Sequence, residues 1–86
     1  MAYNSRQIKS AFHRALRDYQ HEVWYTHYSG EHPVYYVKIY DMSDYDDDDA
    51  AEIFDALESV ENQFDLDQDY SEGHGDITYS YIDFNN

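Results

Sequence analysis

Apolar residues recur at helical spacing in two stretches of the chain, gather as β-branched and aromatic runs in two others and alternate with polar ones in a last segment. Ile8, Phe12, Ala15, Leu16 and Tyr19 fall three or four apart, which predicts an amphipathic helix over residues 5–22. Asn4 stands just before it with Gln7 three positions on, a capping-box pair that satisfies two free backbone N–H groups. Val23 to Tyr28 and Val34 to Tyr40 are rich in β-branched and aromatic residues, and the Ser29–Pro33 segment between them carries Gly30 and Pro33, so the two runs read as a hairpin. In the second run Tyr35, Val37 and Ile39 share one face, while Val34, Tyr36, Lys38 and Tyr40 share the other. A second helix is expected from Ser43 or Asp44 to about Phe64. Its apolar stripe is Ile53, Phe54, Leu57, Val60 and Phe64, with Asp48, Glu52, Asp55 and Glu58 opposite. Residues 65–76 then read as an acidic loop, and Ile77 to Phe84 as a third strand. The expected fold is α+β: one small two-layer domain over residues 1–86, in the order α-β-β-α-β, with a mainly antiparallel three-stranded sheet. No internal repeat or linker is visible.

Composition narrows the class. Eighty-six residues make one domain, which buries roughly 60–65% of the surface its unfolded chain exposes. The low overall hydropathy and high charge resemble those of disordered chains, but 42% apolar residues and 11 Tyr argue for a folded core. The chain has no Cys, so neither a disulfide framework nor a thiolate metal site is available, and a reducing compartment is expected. No stretch has the length and apolarity of a membrane span or the pattern of a signal peptide. A soluble, cytoplasmic protein is the expectation.

Charge changes the picture most. The formal net charge is −14, from 19 acids and 5 Lys and Arg. It is unevenly placed: Arg6, Lys9, Arg14 and Arg17 lie in the first 17 residues, which hold no acid, and Lys38 is the only base after them. From Asp41 to Asp76 there are 15 acids and no Lys or Arg, so this block lacks internal countercharges. Direct contact with nucleic-acid phosphate or an anionic membrane needs cations the chain does not have. Asp46 to Asp49 suit the first turn of the second helix, where the dipole favours negative charge, but the dipole does not account for Glu58, Glu61, Asp65, Asp67 and Asp69 further on.

Candidate chemistry is sparse. Asp65, Asp67, Asp69 and Asp76 occupy positions 1, 3, 5 and 12 of a calcium-loop spacing, but Tyr70 stands where that loop needs Gly and Glu72 where it needs an apolar residue. Weak cation condensation fits better than a specific site. His13, His21, His27, His32 and His74 form no recognised zinc-binding spacing. There is no Cys nucleophile, Gly-rich phosphate loop or other nucleophile motif, so no enzyme, metal or cofactor is expected. Eleven Tyr exceed what so small a core can hold, and Tyr45 and Tyr70, set among acids, are expected to be exposed and suited to an interface.

With its DYDDDD run at Asp44 to Asp49 and its DLDQD segment at Asp65 to Asp69, the chain resembles the small phage-encoded DNA-mimic inhibitors. These comprise anti-CRISPR proteins, anti-restriction proteins and uracil-DNA glycosylase inhibitors. The resemblance covers the whole chain in size, charge and Tyr-plus-Asp composition, rests on no shared motif, and is departed from by the basic stretch Arg6 to Arg17. It implies a stoichiometric inhibitor, most naturally an anti-CRISPR protein, that occupies the basic DNA- or RNA-binding groove of a Cas effector or another defence nuclease. Asp outnumbers Glu, and its shorter side chain holds charge close to the backbone, as a phosphate mimic requires. The residues expected to meet the partner are Asp41, Asp44, Tyr45, Asp46, Asp47, Asp48 and Asp49, then Glu52, Asp55 and Glu58, then Asp65, Asp67, Asp69, Tyr70 and Glu72. The protein itself is expected as monomer or homodimer. Two other readings fit the composition: an acidic adaptor or chaperone-like module for a basic protein, and an ordinary domain acidified for high salt. Segregation of the charge along the chain disfavours the second.

Overall fold

The computed structural model describes residues 4–86. Its elements are α1 (Ser5–Ala15), β1 (His21–Thr26), β2 (Val34–Ile39), a 3₁₀ turn (Met42–Asp44), α2 (Asp47–Phe64), β3 (Asp67–Gly73) and β4 (Ile77–Ile82). The order is α-β-β-α-β-β, and the sheet has four strands in the order β1-β2-β4-β3, every pair antiparallel. The α+β class and the antiparallel sheet agree with the sequence pattern, whereas the three-stranded sheet is corrected to four strands. The added strand is β3, drawn from the expected acidic loop. All seven of its residues are exposed, so no face of it shows the apolar alternation that marks a strand. It forms because its backbone pairs with β4, from Asp67 opposite Ile82 to Gly73 opposite Ile77.

The chain therefore runs twice through a helix followed by a hairpin, without a matching sequence repeat. The first hairpin pairs His21 with Ile39 and Thr26 with Val34. Its second strand, β2, joins the second hairpin at the sheet centre, where Val37 faces Tyr79. At the turn of the second hairpin Gly73 has φ +119, and a Cβ there would lie 2.0 Å from the Asp76 carbonyl oxygen, so only Gly fits.

One sheet face carries the core. Tyr35, Val37, Ile39, Tyr79 and Tyr81 are buried against Ile8, Phe12 and Leu16 of the α1 region and Ile53, Leu57, Val60 and Phe64 of α2. Of the two faces of β2, the one bearing Tyr35, Val37 and Ile39 is the buried one. α1 ends earlier than its periodicity suggests, at Ala15 instead of about residue 22. The Leu16 N–H still bonds to the Phe12 carbonyl, after which the chain turns, and Tyr19 reaches the core from that turn. The Asn4–Gln7 capping box forms as expected, with both reciprocal bonds present at 2.9 and 3.1 Å.

The two helices run antiparallel over the sheet. Arg6 and Arg14 of α1 line one groove with Gln63 and Phe64 at the end of α2, while Tyr19, beyond α1, packs edge-on against Tyr45, before α2, at 5.3 Å. Bases therefore sit beside the negative end of the α2 dipole and acids at its positive end. Among the described residues no helix is long and apolar enough to cross a membrane.

Candidate partner-binding surface

The acidic surface is built on α2. Asp46 is its N-cap, extended at φ −77, and its carboxylate accepts the Asp49 N–H at 2.9 Å. Asp47, Asp48 and Asp49 fill the first turn. Beyond them Ile53, Leu57, Val60 and Phe64 turn inward, so at 100° per residue Asp47, Asp48, Glu52, Asp55 and Glu58 fall on the outer side, and all five are exposed. The helix bears seven acids, these five with Asp49 and Glu61, and no Lys or Arg in its 18 residues. At 1.5 Å per residue that averages one charge per roughly 4 Å of helix axis, a linear density close to the one phosphate per ~3.4 Å of axis that a DNA strand carries.

The stretch before α2 extends the charge around the helix start. Asp41 adopts a left-handed conformation, φ 55, and its N–H donates to the Asp76 carboxylate at 2.9 Å. The Met42 N–H bonds to the Gly75 carbonyl at 2.7 Å, which ties this turn to the β3–β4 turn. Asp41, Asp44 and Asp76 therefore share one end of the molecule with Asp46 to Asp49. Tyr45 does not join them as an exposed contact. It is half-buried against the core and Tyr19, because the 3₁₀ turn points its ring inward. The Tyr19 hydroxyl is pushed up to about 12 by burial, then by the charges of Glu52 and Asp49 and a hydrogen bond to Glu52.

Phe54 departs from expectation in the other direction. Read as part of the apolar stripe, it lies off the core line and is 48% exposed, with its ring edge-on to Tyr79 at 6.3 Å. With Leu57, Glu58, Glu61, Gln68 and Tyr81 these two rings line a groove of about 270 Å³ between α2 and β3. Glu61 is fixed at its edge by accepting the Gln68 N–H at 2.8 Å. An exposed aromatic ring among carboxylates is the apolar anchor typical of protein interfaces, and the helical periodicity that exposes it is readable in the sequence.

The remaining expected residues lie elsewhere. Asp65 ends α2 in a left-handed conformation, φ 53, and its carbonyl accepts from the Asn85 side chain at 3.2 Å. Asp67, Tyr70 and Glu72 pair across β4 with Ile82, Ser80 and Thr78, and so belong to the sheet face away from the helices, while Asp69 lies at a register shift. The structure thus divides the expected surface between two sides of the molecule. It also places the calcium-like spacing on an extended edge strand. Among the described residues no three His, Asp or Glu converge as a metal site. Sequence spacing also missed the pairing of His13 with His21, whose ring nitrogens lie 2.9 Å apart. No family model, curated protein or solved structure matches the chain.

Proposed function

We propose that the protein is a nucleic-acid mimic, an inhibitor whose α2 surface occupies the basic DNA- or RNA-binding groove of a defence nuclease, with a CRISPR effector as the first target to examine. The observation that carries this reading is the run of carboxylates on α2 with no Lys or Arg on the helix, comparable in charge per unit length to backbone phosphates and joined at its start by Asp41 and Asp44. A helix holds these charges in fixed positions, which lowers the ordering cost of binding. Phe54 adds an apolar anchor beside the row.

Affinity capture from a bacterial host lysate tests the proposal, with bound proteins identified before and after a DNA wash. A nucleic-acid-binding enzyme retained by the protein and released by DNA is the expected result. Retention only of proteins indifferent to DNA would favour the acidic-adaptor reading instead.

A further inference from the structure

The sheet face opposite the helices carries no helix, and the strand register orders it into rows. Trp24, Tyr36, Ser80 and Tyr70 stand opposite one another across all four strands. Glu22, Lys38, Thr78 and Glu72 form the row to one side, and Thr26, Val34, Ile82 and Asp67 the row to the other. Such rows lie about 7 Å apart, two residues along each strand. In the middle row the Trp24 and Tyr36 rings stack with centroids 5.5 Å apart and planes 15° from parallel. Ser80 is fully buried although it belongs to the open side, with Tyr36 and Tyr70 on either hand. Trp24 and Tyr70 remain 39% and 45% exposed. The result is an aromatic strip about 14 Å long, three strand spacings, with carboxylates at both edges of the neighbouring row.

Its charge decides what fits on it. Bases of single-stranded nucleic acid stack on such strips, but their phosphates would meet Glu22, Glu72 and Asp67 with only Lys38 to balance them. A second copy of this chain would set the same carboxylates against each other. A cation is complementary, and the face already holds one in this way. The Lys38 ammonium lies 4.9 Å from the centroid of the Tyr40 ring, while the Tyr40 hydroxyl bonds to Glu22. A guanidinium does both jobs at once, because its plane stacks on an aromatic ring while its N–H fork engages a carboxylate.

We propose that this face docks an arginine-bearing segment of a protein partner, with guanidinium groups on Trp24 and Tyr70 paired to Glu22 and Glu72. Since α2 lies on the other side of the sheet, this contact is independent of the groove-binding surface, and both can be occupied together.

The test titrates an arginine–glycine peptide and a lysine–glycine peptide of equal length and charge into the whole protein at physiological ionic strength. Trp24 is the single tryptophan, so its emission reports on the site directly, and calorimetry supplies affinities where it is replaced. The arginine peptide is expected to shift Trp24 emission and to bind about fivefold or more tightly than the lysine peptide. Trp24→Leu and Tyr70→Ala should each remove that preference, while Asp47→Asn with Asp48→Asn on α2 should preserve it. Tyr70 lies on an edge strand, so its variant keeps the test valid if Trp24→Leu fails to fold. Equal affinity for the two peptides, no binding, or a preference that survives both ring substitutions would overturn the proposal. So would a shift of Trp24 emission by single-stranded DNA.

Discussion

A backbone carbonyl fixes the state of the His21 ring. The Tyr19 carbonyl can only accept, so His21 Nδ1, 2.7 Å away, carries the proton and Nε2 is left as an acceptor for His13 Nδ1–H at 2.9 Å. Burial first, then the His21 ring and Lys9, hold the His13 imidazole below its ordinary value of 6.5. As pH falls below 6.5 the unfolded chain therefore takes up the proton first, so the stabilising contribution is complete above 6.5 and is lost as pH drops through the lower folded value. Thermal melts are expected to show a falling midpoint over this window, well above the carboxylate range near ~4, and a shallower fall in His13→Gln. Phe54 is a second residue whose role is separable from folding. Being half exposed, Phe54→Ala should change stability by less than about 1 kcal/mol, yet weaken partner binding by more than about 1 kcal/mol. At this scale the sequence located the exposed Tyr70 but not the inward turn of Tyr45, because a 3₁₀ turn three residues long has no periodicity to read.

At the scale of elements, what was legible depended on burial. α2 and the hairpin of β1 and β2 each present an apolar face to one core, so their periods appear in the sequence. β3 presents none, and its acids read as loop although its backbone pairs with β4 on either side of the register shift at Asp69. Within the acid run Asp46 stands apart, because its carboxylate caps α2 by accepting the Asp49 N–H. Asp46→Ala should cost about 1 kcal/mol through loss of the cap, whereas Asp46→Asn should keep it. Chemical denaturation of the two variants measures this directly. Replacing Asp46 to Asp49 with Asn keeps the cap but gives up the charge–dipole contribution of the first turn, so the melting midpoint of that variant is measured beside its binding. Gly73→Ala should destabilise the β3–β4 hairpin strongly, since its Cβ would meet the Asp76 carbonyl.

For the whole molecule the dominant quantity is charge and its arrangement. The described residues extend 39 Å along their longest axis, and with a net charge of −14 this is one negative charge per roughly 3 Å, comparable to a single nucleic-acid strand. The sequence showed bases early and acids late. Folding sets two of those bases, Arg6 and Arg14, beside the C-terminal end of α2, while its start and outer side carry only acids. Like charges held this close oppose the compact state, so added monovalent salt should raise the melting midpoint while weakening a charge-driven complex. The partner itself was never legible, because charge specifies the chemistry of a complementary surface and not its owner.

The central claim is that the carboxylates of α2 take the place of phosphates. Its most direct measurement is the binding of labelled DNA to the captured enzyme, followed by anisotropy, as the protein or its Asp46–Asp49 to Asn variant is added. The protein is expected to displace DNA competitively, and the variant to do so at least about tenfold less well, with a shallower dependence on salt. Undiminished displacement by the variant, or a ternary complex in which DNA stays bound, would contradict it.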